Sequence, residues 1–261
     1  MTEKTPAPRR KTKRFLKCMT ILGSLVLFGV LAPCAQAQSV NVTATTEATG
    51  TMGTLQLLFV FVALALAPSL LIMMTSFTRI VIVLSFLRNA IGLQQTPPNQ
   101  VIVGLALFLS LFVMNPVLTQ VNEEGFQPYL NGEITQEEAL QNMEVPIKEF
   151  MLSQTKSDDL NMFAGLAMQN GEYEDVDDPM DYGLEVVVPA FLTSELSRAF
   201  LMGFLLYLPF LIIDMIVAST LMSMGMVMLP PSMISLPFKL MLFVVVNGWS
   251  VLMETLVASF Q

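Results

Sequence analysis

An all-α, multi-pass membrane protein is the fold class this sequence predicts, and three observations carry the prediction. Of its 261 residues 54% are apolar and only 13% are charged, about half the charged share of an ordinary soluble domain. The charges are clustered: basic residues crowd the stretch up to Lys17, acidic ones crowd Val121 to Glu185, and long uncharged runs lie elsewhere. Those runs reach the roughly 20 residues that a helix needs to cross hydrocarbon, and a helix satisfies its backbone groups without water.

The same composition closes off several chemistries. With no histidine and only Cys18 and Cys34, the chain cannot build a His/Cys zinc site, an axial-histidine haem site, a four-cysteine iron–sulfur site or a cysteine–histidine nucleophile. No cofactor, metal site or catalytic residue is expected, and the chain is read as not an enzyme. Ser153-Gln154-Thr155-Lys156 matches S-x-x-K, but neither S-D-N nor K-T-G accompanies it, so Lys156 is read as a solvated charge. A net charge of −8 with no basic patch in the apolar part argues against a nucleic-acid partner.

Residues 1–37 have the form of a cleavable signal peptide. Arg9, Arg10, Lys11, Lys13, Arg14 and Lys17 precede an apolar core from Met19 to Ala32, and Ala35-Gln36-Ala37 supplies a small-x-small site, so cleavage is expected before Gln38. An uncleaved first span and acylation at Cys34 are the alternatives. The apolar core is short for hydrocarbon, and Pro33 suits acylation poorly. Residues 38–51 read as a short polar leader with little structure.

Residues 52–118 form a first apolar helical region. Leu55 to Met74 is long enough to span, with a kink expected at Pro68. The following helix carries Arg79 and Arg88, whose spacing puts them on opposite sides at 3.6 residues per turn. Pro97-Pro98 breaks it, and Val101 to Val117 is expected to return as a second helix ending near Asn115-Pro116. Residues 77–118 thus read as a helical hairpin.

Residues 119–185 are the acidic region, with 16 acidic residues and two lysines between Val121 and Glu185. Weak amphipathic helices are expected around 134–155, interrupted at Pro146, and around 158–168. The run from Glu172 to Asp181 is turn-rich, and its carboxylates miss the spacing of a calcium loop. Residues 186–261 form a second apolar helical region, with spans expected at about 200–221 and 236–256. Between them lies a link rich in Met, Gly and Pro, from Met222 to Pro237. If the leader is exported, the distribution of Lys and Arg places the acidic region and the tail outside, in the periplasm, with the methionine-rich link at the inner side or within the protein.

Two groups of residues stand apart from simple apolar packing. Arg79, Arg88, Glu195, Arg198, Asp214, Lys239 and Glu254 sit in or beside apolar segments, where a lipid-facing charge costs at least ~3 kcal/mol. Each needs a partner or water, so they are candidates for ion pairs within a bundle or between subunits, with a place on a conducted path as the sharper alternative. Met222, Met224, Met226 and Met228 alternate in a way that no helix face repeats, and Gly225 with Pro230-Pro231 predicts a bend. Thioether side chains are flexible and fill a changing gap; a compliant seal around a channel stands beside ordinary core packing.

The stretch from Met74 to Ala90, MTSFTRIVIVLSFLRNA, is followed by Pro97-Pro98-Asn99-Gln100-Val101. Downstream come Pro189-Ala190-Phe191 with Ser194-Glu195-Leu196 and Ala199-Phe200, then Met222, Gly225-Met226, Met228 and Pro230-Pro231, then Leu236 to Phe243 with Asn247-Gly248-Trp249. Over residues 55–260 this order of motifs resembles the FliP family, the flagellar biosynthetic membrane proteins of the type III export gate. The resemblance implies bent helical hairpins wound into a helical, cone-like oligomeric assembly standing largely above the bilayer plane. It implies no enzymatic activity. Several copies of the chain would join FliQ and FliR and other components of the flagellar export apparatus, and unfolded rod, hook and filament proteins would pass through. The assembly would sit in the bacterial inner membrane within the flagellar basal body, in contact with membrane lipids. The family's methionine ring carries over onto Met226 and Met228 and, more loosely, Met224 and Met222.

Three other readings compete with a flagellar gate. The equivalent subunit of a virulence type III secretion system shares the helical motifs, but the signal peptide and the long acidic region resemble the flagellar branch. A secondary transporter using Asp214 as a coupling carboxylate would call for inverted repeats, and the two halves show no convincing similarity. An assembly scaffold without cargo contact is the third.

Overall fold

The computed structural model describes residues 58, 61–62, 65–66, 69, 72–93, 96–169, 171, 178–226 and 228–260. The expected signal peptide and leader, and most of the expected span at 55–74, lie outside them. Among the described residues every regular element is helical and no strand occurs.

Helix α1 (Phe77–Ile91) buries Ile80, Val83, Leu84, Leu87, Ala90 and Ile91, a stripe at the i, i+3, i+4, i+7 spacing of one helix face. The chain turns through Pro97-Pro98 into α2 (Asn99–Gln120), which supplies Ile102 and Ala106 to the same core. The expected hairpin is present, but its second arm does not end at Pro116. It continues through a π-helical turn (Val121–Phe126) into the short α3 (Gln127–Leu130), giving a 32-residue rod. Proline removes one amide donor. Packing further along offsets that loss: the π turn lies against the acidic region, where Asn142 Nδ2 donates to the Glu124 carbonyl at 3.2 Å.

Helix α4 (Gln136–Gln154) starts from a capping box, with the Glu138 amide donating to Thr135 Oγ1 and the Thr135 amide donating to a Glu138 carboxylate oxygen. Those Thr135 hydrogen bonds hold the Glu138 carboxyl below its ordinary range. The interruption expected at Pro146 does not occur; the proline is buried inside a continuous helix. Helix α5 (Ser157–Gln169) follows.

Helix α6 (Leu184–Ser223) has 40 residues and is about 60 Å long at 1.5 Å per residue. It starts well before the expected span at 200–221 and runs through Pro189 and Pro209. Its first turns pack with α4 and α5 around Met151, Ala164, Tyr182, Val187 and Phe191. Its middle joins α1 and α2 in a second core that includes Leu84, Leu87, Ala199 and Phe210. Gly203 makes that crossing possible, since a Cβ there would lie 2.5 Å from Phe86 Cγ.

Helices α7 (Pro231–Val245) and α8 (Gly248–Ala258) complete the second core with Phe243, Leu252 and Leu256. The stretch expected as one span at 236–256 is helical but bent. The two helices meet at 64°, broken where Asn247 takes a left-handed conformation (φ 52°, ψ 47°). Among the described residues two helical rods are long and apolar enough to cross a membrane, Asn99–Leu130 and Leu184–Ser223, or three if α7 and α8 count as one.

Candidate functional site

The methionine segment begins inside α6 and leaves it at a defined stop. Met222 lies in the last turn and Met224 caps it, while Gly225 is left-handed at φ +74°. The Met226 amide donates to the Leu221 carbonyl at 3.0 Å and the Gly225 amide to the Met222 carbonyl at 3.0 Å, the paired bonds of a Schellman ending. Pro231 at the first position of α7 restarts the helix. The predicted link from Met222 to Pro237 is thus shorter than expected: α6 runs to Ser223 and α7 begins at Pro231. The four methionines fan outward. Met228 is 99% exposed and Met226 40%, with Met222 and Met224 also exposed. Behind them Ile213, Ile216, Val217 and Leu221 of α6 face Ile234 and Phe238 of α7 across an apolar groove.

Two buried cations frame this bent structure. Arg79 and Glu195, both fully buried, form an ion pair in which Nε donates to Oε2 at 2.9 Å and Nη2 contacts Oε1. Arg79 Nη1 donates to the Ser259 carbonyl at 2.9 Å and to Ser259 Oγ at 3.0 Å, and Nη2 also donates to Gln154 Oε1 at 3.2 Å. The guanidinium lies 3.8 Å from the centre of the Phe260 ring. Arg198, the helical neighbour of Glu195, reaches Gln154 Oε1 at 3.2 Å.

At the other end of α1, Lys239 Nζ donates to Asp214 Oδ2 at 2.6 Å and to the Ala90 carbonyl at 3.1 Å, while Ser235 Oγ donates to Asp214 Oδ1 at 2.6 Å. A cation there meets carbonyls left over at a helix C-terminus and the negative end of the helix dipole. Arg88 does neither job. Its Nη1 donates to Asn99 Oδ1 and weakly to the Pro97 carbonyl at 3.5 Å, tying the turn between α1 and α2. The two arginines do point to different sides of α1, as their spacing requires. Glu254 is exposed on α8, and among the described residues neither it nor Arg198 forms an ion pair.

Gln154, Ser235, Ser259 and Phe260 were not readable as partners. They are polar or aromatic residues of ordinary type, and nothing local distinguishes them. Ser153 and Lys156 of the S-x-x-K match are engaged apart from one another, Ser153 Oγ with the Phe150 carbonyl and Lys156 Nζ with Ser197 Oγ.

A profile of the FliP family matches residues 60–256, three quarters of the chain and every element from α1 to α8. The chain belongs to the FliP family. Several relatives are named flagellar biosynthetic protein FliP. That of Aquifex aeolicus is 50% identical over 79% of this chain and 86% of its own length. That of Bacillus subtilis is 47% identical over 85% and 98%. That of Caulobacter vibrioides is 49% identical over 89% and 86%. The family match includes Arg79, Glu195, Asp214, Lys239 and the methionine loop.

Proposed function

We propose that this chain is a non-enzymatic core subunit of the flagellar type III protein export gate. Several copies join FliQ and FliR in the inner membrane, within the flagellar basal body, and work with the other export components. Unfolded rod, hook and filament subunits cross through the channel they form. The chain enters with a signal peptide cleaved before Gln38, and its acidic region faces the periplasm. The flagellar names of the relatives favour this over the virulence gate.

The observation that carries the mechanism is the methionine loop itself: a short segment between two helix ends that, with Met222 in the last turn of α6, holds four flexible apolar side chains away from its own core. A channel wide enough for an unfolded chain must exclude ions when idle, yet it meets cargo side chains of every size. Thioethers from several copies close over an apolar gap and yield without breaking a hydrogen-bond network, whereas a charged ring would keep water in the opening. Met226 and Met228 are the main contributors, with Met224 and Met222 behind them.

The test is Met226→Ala combined with Met228→Ala in the assembled gate. Conductance should rise while secretion of a hook or filament subunit persists at least in part. Unchanged conductance at equal complex levels would reassign both residues to packing.

A further inference from the structure

The fold ties the segment after α8 to the acidic region through one guanidinium. All of Arg79's donor nitrogens are committed: Nε and Nη2 to Glu195 on α6, Nη2 also to Gln154 at the end of α4, and Nη1 twice to Ser259. Gln154 closes the circuit, since its Nε2 donates to the Phe260 carbonyl at 3.4 Å. Phe260 also stacks on Phe150 of α4, with ring centres 6.4 Å apart at 25°. Just past Gln154, the junction to α5 is held on α6: the Lys156 amide donates to Ser194 Oγ at 2.9 Å, and Ser194 Oγ donates to Asp159 at 2.6 Å.

We propose that Ser259 and Phe260 form a latch, with Arg79 as its positioning residue, that seats the α4–α5 junction of the acidic region only when the bent α7–α8 pair is docked. The physical reason is accounting of donors. Arg79 is fully buried, so undocking the tail leaves both Nη1 hydrogens without acceptors, a state that costs far more than two lost exposed bonds. The guanidinium must then move to find acceptors, and Gln154 and Glu195 move with it. A displacement of α7–α8 is thereby felt at Thr155-Lys156, with no contact between α8 and that junction required. This goes beyond the export role, which rests on the methionine loop.

Lys156 provides the readout, because trypsin cleaves after it while Arg88 and Lys239 report on the hairpin and on α7. The full-length protein in its gate complex is compared with a chain lacking Ser259 to Gln261. Local opening at the junction should speed cleavage after Lys156 about tenfold, with cleavage after Arg88 and Lys239 unchanged. Unaltered cleavage at Lys156 would overturn the latch, and so would equal acceleration at all three sites, which means general loosening. If the shortened chain does not accumulate, Phe260→Ala keeps the Ser259 bonds and should give about a threefold increase at Lys156 alone. No increase in that variant would equally overturn it.

Discussion

At the scale of single residues, Arg79 and Arg88 look alike in the sequence and do different work. Both interrupt an apolar helix, and both had to find partners. Arg79 is fully buried against a carboxylate, whereas Arg88 is half-buried and serves a turn. Removing one member of a buried pair leaves an uncompensated charge and costs about 3–5 kcal/mol. Arg79→Leu should therefore depress the melting temperature of the detergent-solubilised protein strongly. Arg88→Leu should leave it nearly intact while lowering the amount of complex recovered. The reverse order would show that the two roles are misassigned. The need for partners was legible from charge in an apolar setting, but their identity was not. Glu195 lies 116 positions from Arg79, and the remaining acceptors are an amide, a hydroxyl and a main-chain carbonyl, groups that every sequence offers in quantity.

At the scale of elements, hydropathy and glycine located the helices, and proline suggested breaks at Pro116 and Pro146 that do not occur. Pro116, Pro146, Pro189 and Pro209 all sit inside helices. Each removes one donor, a loss that local reasoning counts in full and that packing along a long helix offsets. The bend between α7 and α8 was missed for the opposite reason, since Asn247-Gly248 is a modest break inside a uniformly apolar run. The end of α6 was legible because Gly225 occupies the position where a left-handed residue is needed. Gly225→Ala should destabilise that ending by about 1 kcal/mol, seen as faster amide exchange at Met226. It should also disturb closure more than the amount of protein, because Met226 and Met228 hang from that turn. Unchanged exchange at Met226 would remove Gly225 from the argument.

At the scale of the whole molecule, the contacts define two ends. Arg79, Gln154, Glu195 and Ser259 gather at one, while Ala90, Asp214 and Lys239 gather at the other, nearer the methionine loop. The acidic region, the first part of α6 and the segment after α8 therefore share an end, and the proposed topology would put that end in the periplasm. Single cysteines at Asn131 and Gly171 should react with an impermeant thiol reagent from the periplasmic side. Labelling only after the inner membrane is opened would invert the orientation. Composition announced the apolar surface but not its occupant. Phe108, Phe112, Phe200, Phe204 and Met215 are all exposed on this single chain. Lipid and a sister subunit select the same side chains, so periodicity does not separate them.

The length of α6 also has an electrical consequence. The stretch of α6 from Arg198, which meets Gln154 at the end of α4, to Met224 sets the acidic region and the methionine loop about 40 Å apart. Mobile ions screen an exposed charge within about 8 Å at physiological salt. The carboxylates of Glu137, Glu144 and Glu149 on α4 therefore exert almost no potential at the closure, however dense they are. Replacing these three by glutamine should leave idle conductance and its dependence on salt unchanged, even where the capture or onward passage of cargo is altered. A shift in ion selectivity of the closed gate would mean that the acidic end reaches much closer to the methionines in the assembly than along a single chain. Otherwise the proposed methionine closure discriminates by dryness alone, at a place where the protein's own net charge is invisible.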